Sequence, residues 1–249
     1  MGDRMSTINV NALDKESGST LTLGGSGTQV TLHASATSSG FASGFNSIQV
    51  FTSSGTWTRP SGITKVKIHV IGGGAGGGGG RSGYNYSGGG GGAGGNLLKV
   101  LDVSSISSAT IPVGSGGTGG AVNLDGGNGG TSTWVDGTNT LTANGGSGVL
   151  ALGGNNTTMA GGTATGGDIN ASGGTGSSSF KDSATQTSWN SGLGGLSGSG
   201  FGGTGGSNFD ANPSGGNDAT GYGHGGTGGP VNQAGGDGAG GLIWVEEFK

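Results

Sequence analysis

The chain has 249 residues, of which 29% are hydrophobic, 6% aromatic and 9% charged, with 69 glycines, 4 prolines and no cysteine. So few large apolar side chains cannot offset the entropy of ordering over most of this length, and any fold must draw on something besides side-chain burial. A net charge of −4 with no Lys/Arg stripe argues against nucleic acid and anionic membranes as partners, while the lack of cysteine excludes disulfides, thiol catalysis and zinc–thiolate sites.

The N-terminal MGDRMSTINVNALDKES lacks the apolar core of a secretory signal. No apolar run approaches the roughly 20 residues of a membrane span, so no membrane insertion is expected. From Ser6 to about Phe45, "STINVNAL", "STLTLGG" and "TQVTLHASA" alternate apolar and polar residues between Gly-Ser turns, as short strands do. These strands are too thin for a monomeric core. Residues 1–45 therefore read as a docking or oligomerisation segment, buried by winding three chains together, with a flexible tail of β-like composition as the alternative.

Residues 46–249 read as a second domain. Ile48 and Val50, then Val66, Ile68 and Val70, alternate around a turn at "TRPSG". Further strands are expected across 97–113 and in the terminal "LIWVEEFK", where Ile243, Val245 and Glu247 share one face and Trp244 and Glu246 the other. The spacing predicts a small β base over about 48–71, 97–113 and 242–248, with the terminal strand beside 64–71 and 97–113. Trp57 and Trp244 are assigned to this base.

Between these strands the composition changes sharply. Nine of the 69 glycines fall in residues 1–71 and the other 60 in the 178 residues from Gly72 onward. Scarce charge and few prolines separate this region from ordinary disordered sequence. Collagen needs glycine at every third position with abundant proline, and neither holds. What such runs can build is a bundle of extended three-residue helices, polyglycine-II-like, packed closely and bonded sideways through N–H and C=O groups. The expected fold is mostly β plus irregular glycine-rich: a small β base or sandwich with packed polyglycine-II-like segments, and a fibrous trimeric N-terminal segment.

Chemistry-bearing constellations are few. His33, His69 and His224 lie far apart. His69 reads as an ordinary strand residue and His224 as part of an exposed loop. Asp125, Asp136, Asp168, Asp182, Asp210, Asp218 and Asp237 show no hydrolase-like pairing. "GGGAGGGGG" opens no helix and carries no Walker lysine, so it is not a phosphate loop. No catalytic, cofactor or metal site is expected. Aromatic residues interrupting the glycine runs are the better candidates, because rings in exposed loops suit glycan stacking and interface anchoring. They are Tyr84 and Tyr86, then Phe180, Lys181 and Trp189 in the longest interruption, and Phe209, Tyr222 and His224. Trp134 reads as framework.

The blocks "FTSSGTWTRPSGITKVKIHVIGGGAGGGGG", "TIPVGSGGTGG" through "GGNGGTSTW" to "LTANGG", and "GYGHGGTGG" through "AGGDGAGGLIWVEEF" resemble, in this order, the glycine-rich domain at the tips of bacteriophage tail fibres. The opening "STINVNALDKESGSTLTLGGSG" looks like the virion-attachment end of cyanophage structural proteins. The resemblance implies a virion tail-fibre protein, a homotrimer, docked through its N-terminus to a tail or fibre-adaptor protein. Its glycine domain would meet a host-surface glycan or outer-membrane protein. The separate polyglycine-II tip adhesins of T-even-like phages are a more distant likeness, since this chain carries its own N-terminal segment and a strand at its end. The alternative is a capsid or tail decoration protein without receptor binding. An ice-binding protein is disfavoured by the irregular loops.

Overall fold

Alternating apolar and polar residues become strands where one face can be buried, and shorter stretches pair alongside them, giving ten strands among the described residues. The computed structural model describes residues 44–82, 86–148, 159–179, 191–198 and 215–249. Its strands are β1 (Phe45–Phe51), β2 (Gly55–Thr58), β3 (Lys65–Ile71), β4 (Asn96–Asp102), β5 (Ser108–Ile111), β6 (Ser132–Val135), β7 (Thr140–Ala143), β8 (Ala164–Thr165), β9 (Ile169–Ala171) and β10 (Leu242–Phe248). They form two five-stranded antiparallel sheets, ordered β1-β10-β3-β4-β9 and β2-β5-β6-β7-β8.

One face of each sheet supplies the main core. Val66, Ile68 and Val70 of β3, with Ile243 and Val245 of β10, pack with Trp57, Ile111, Trp134 and Leu141 of the second sheet. The rings of Trp57 and Trp134 lie 5.1 Å apart, tilted by 45°. Both indoles are fully buried, and each N–H finds a carboxylate: Trp57 Nε1 donates to Glu247 at 2.8 Å and Trp134 Nε1 to Asp136 at 3.0 Å. Before β3 the backbone reverses at Pro60–Ile63, where Ile63 N donates to Pro60 O at 3.2 Å and Gly62 takes φ of 81°. That third turn position strains any residue with a Cβ.

The base differs from its expected form in two ways. The terminal strand β10 lies between β1 and β3, not beside 97–113; β4 pairs with the far edge of β3 instead. Strands β6 to β9 were not anticipated, because stretches of two to four residues are too short to carry a periodic signal.

From Ile71 the chain passes directly into Gly72–Gly80, every residue of which is buried. Its N–H groups point in three directions in strict rotation. Gly72, Ala75, Gly78 and Arg81 donate to Gly95, Gly92, Gly89 and Tyr86. Gly73, Gly76 and Gly79 donate to Gly130, Gly127 and Leu124, and Gly74, Gly77 and Gly80 to Ala239, Gly236 and Gln233. The carbonyls rotate likewise. Those of Gly74, Gly77 and Gly80 accept from Gly117, Gly120 and Asn123, those of Ala75 and Gly78 from Gly226 and Gly229, and that of Gly73 from Gly146. A three-residue turn bonded to six neighbours is the sideways bonding expected of polyglycine-II-like packing, and it satisfies the demand that buried backbone groups be paired. The run 87–95 is surrounded in the same way, by residues 72–81, 144–147, 162, 174–177, 192–195 and 223–229.

At most glycines of these runs the packing leaves no room for a Cβ, although Ala75 and Ala93 are accommodated. A Cβ on Gly77 would stand 1.9 Å from the carbonyl oxygen of Thr227, and one on Gly76 2.0 Å from that of Thr118. Glycine is needed there for close approach.

Candidate functional site

The bundle has two unlike ends. One grows out of the sandwich at Ile71/Gly72, Gly95/Asn96 and Gly241/Leu242. At the other, described turns reverse the chain. Arg81 N donates to Tyr86 O at 2.8 Å in an isolated antiparallel bridge. Leu124 N donates to Ala121 O at 2.8 Å and Gln233 N to Pro230 O at 3.0 Å, closing two more turns. Asn123 and Asn232 take φ of 67° and 60°, the left-handed region that asparagine tolerates better than most residues.

Side chains lock these turns together. Asn123 Oδ1 accepts from Ser82 N at 2.9 Å, and Asn123 Nδ2 donates to Ser82 Oγ at 3.0 Å. Leu124 projects from this end with 60% of its surface exposed. Two further pairs of described chain ends lie on this side of the bundle. Residues 149–158 join runs 144–148 and 159–163, and residues 180–190 join Ser179 to Ser191. Their roots are fixed: Gly90 N donates to Ser177 O, Ser177 N to Leu193 O, and Ser147 N to Ala160 O, all near 3.0 Å.

Of the candidates from sequence, Tyr86 lies at this end, half-buried and bridged to Arg81. Tyr84, Phe180, Lys181, Trp189 and Phe209 lie outside the described residues. Tyr222 and His224 belong elsewhere. Tyr222 packs on the cluster of Ile71, Leu242 and Trp244, at the sandwich end of the bundle. His224 is buried, not in an exposed loop as its glycine-rich surroundings suggested. Its Nδ1 accepts from Ser197 N at 3.1 Å and its carbonyl from Ala239 N at 2.8 Å. The segment 223–229 is a bundle run between the runs 87–95 and 233–240, so the imidazole is enclosed with it.

This architecture has a match among known families: the family described as a glycine-rich domain matches residues 49–247. The chain belongs to that family. No curated protein matches it. The limits of the glycine-rich domain coincide with the sandwich, opening inside β1 and closing inside β10.

A second feature of the glycine-rich domain lies on the face of the first sheet turned away from the core. There His69 stands in register with Trp244 on β10 and Leu98 on β4, and Leu98 with Ile169 on β9. The imidazole stacks on the Trp244 indole, ring centres 3.9 Å apart and planes within 11°. Its Nε2 is 3.9 Å from Glu246 Oε1, beyond hydrogen-bonding reach. Burial, and the neighbouring Lys67 ammonium, push the imidazole down to about 4 against the opposing pull of Glu246. Period-2 alternation identifies His69 as facing away from the core, but only strand order sets Trp244 and Asn96 around it. Among the described residues no group of three or more His, Asp or Glu gathers as it would around a metal ion.

Proposed function

We infer that the glycine-rich domain is the host-contacting part of a bacteriophage tail-fibre protein, displaying receptor-binding loops from the end of the bundle opposite the sandwich. The observation that carries this reading is the rooting of the 180–190 connection. Ser177 and Gly192 are tied into the enclosed run 87–95 by backbone hydrogen bonds, and Ser177 N donates to Leu193 O, so the residues that flank the segment with Phe180, Lys181 and Trp189 are held on a common base. Rigid scaffolds that present variable loops are how folds commonly acquire binding function. Tyr86 stands at the neighbouring turn, bridged to Arg81, and Tyr84 precedes it by two residues in the sequence. The order of the glycine and aromatic blocks along the chain adds the resemblance to fibre tips.

Residues 1–45 would dock the protein to the virion and bring three chains together. The test replaces residues 180–189 with a Gly/Ser segment of equal length, leaving Ser177 and Ser191 in place. Loss of particle adsorption to host cells, with virion assembly intact, is the expected result. Unchanged adsorption would sink the loop assignment and favour a decoration role.

A further inference from the structure

A small cavity of about 190 Å³ lies beside His69 on the outer face of the first sheet. His69, Trp244, Leu98, Ile169, Ile71 and Asn96 line it, with Gly198 at one side. Two polar atoms there are buried without a hydrogen-bond partner among the described residues: His69 Nε2 and Asn96 Nδ2. A buried donor or acceptor left unpaired is costly, so these atoms are the ones a ligand would satisfy. They sit in adjacent cross-strand rows, since Ile71 pairs with Asn96 while His69 pairs with Leu98.

The chemistry of the two atoms narrows the ligand. Asn96 Nδ2 can only donate. The imidazole is neutral near pH 7, so its Nε2 accepts in one tautomer and donates in the other. A hydroxyl group serves both, accepting from the amide while donating to the imidazole. The remaining walls are apolar and aromatic, with Ile169 exposed at the rim. A compact ring with C–H faces and neighbouring hydroxyls matches this set. The volume is below the usual range for drug-sized ligands, which suits a single ring.

We propose that this cavity is a binding site for one pyranose ring of a carbohydrate, held by Asn96 and His69 through its hydroxyls and by Trp244, Leu98 and Ile169 through its C–H surface. It lies on the sandwich, shares no residue with the 180–190 segment, and stands or falls independently of the loop reading. The glycan is a second contact for the same domain.

The site can be tested on the whole chain by NMR titration with methyl glucoside, methyl galactoside, methyl mannoside and N-acetylglucosamine. The Trp57 indole N–H, bound to Glu247 in the core, reports folding. At least one sugar should shift the His69 ring and Trp244 indole signals saturably, with a dissociation constant on the order of 1 mM. Asn96→Leu and His69→Phe should each weaken binding about tenfold or more while leaving the Trp57 signal in place. Tetrahydropyran, which has the ring and no hydroxyls, should bind far more weakly. Absence of saturable shifts with every sugar up to about 50 mM would overturn the proposal. So would tetrahydropyran binding as tightly as the sugars, or unchanged affinity in both variants. Should a variant disturb the Trp57 signal, the comparison of sugar with tetrahydropyran on the unmodified chain decides.

Discussion

The indole N–H of Trp57 donates to the carboxylate of Glu247 at 2.8 Å, joining the second strand to the last across 190 positions and one sheet to the other. Glu247 is almost wholly buried and also accepts from Ser47 Oγ and from Gln49 Nε2 at 2.7 Å. A carboxylate can stay in such a place because three donors replace its water. The link ties both ends of the glycine-rich domain to one core.

Removing that acceptor strands a donor. In Glu247→Ala, Ser47 and Gln49 can turn to solvent, whereas the Trp57 N–H cannot. A stability loss of about 2–3 kcal/mol is expected, read as a lower denaturation midpoint. A change within about 0.5 kcal/mol would mean that the carboxylate contributes little.

The bundle predicts a sharp contrast between glycines. Gly77→Ala places a methyl 1.9 Å from the Thr227 carbonyl oxygen, and the neighbouring run cannot retreat without breaking its own bonds. Gly240→Ala meets nothing nearer than 3.8 Å. The first should abolish soluble folded protein, and the second should stay within about 0.5 kcal/mol of the parent. Equal tolerance at both positions, seen by circular dichroism and thermal melting, would mean that 72–80 is a linker.

Hydrogen exchange gives an independent reading of the same bundle. The amides of Gly73 to Gly80 bond to three different runs, so none can open without separating packed neighbours. They should exchange as slowly as the β3 amides that precede them. Fast exchange there, with β3 protected, is the contrary result.

His224→Ala should be a folding defect and not a binding one. Ser197 N would lose its acceptor inside the protein, at a cost of about 1–3 kcal/mol. Reduced thermal stability with ligand or cell binding per folded molecule unchanged is expected. Full stability with lost adsorption would return His224 to the receptor surface.

Acid should weaken the fold partly through His69. Its folded pKa of about 4 lies below the ordinary 6.5, chiefly because burial penalises the charged ring. The unfolded chain therefore binds the proton more readily between those values. Stability credited to the neutral imidazole is complete above about pH 6.5 and is lost as pH falls towards 4. Exposure of part of the ring moderates the size of the effect. Lys67 and Glu246 are the charged groups beside it, and carboxylates titrate in the same window. The measurement is thus the difference between the parent and His69→Phe, whose gap should narrow from pH 6.5 to 4. A gap independent of pH would exclude His69 as the titrating group.

The sequence by itself determined the boundaries and the building principle. Alternation at Val66, Ile68 and Val70, and at Ile243 and Val245, marks the strands that enclose the glycine region, because one face of a strand must meet a core. The density of glycine from Gly72 onward dictates backbone-to-backbone packing, since no side-chain core is available there. Tertiary structure decided the rest. Strand order places β10 between β1 and β3, and with it sets Glu247 on Trp57 and Trp244 on His69. Which runs neighbour Gly72–Gly80 is equally invisible in the sequence, because glycine carries no side chain to distinguish one partner from another. His224 makes the same point from the other side: flanking glycines read as an exposed loop in one dimension, and in three the segment is an enclosed run whose histidine is buried and bonded to Ser197 N.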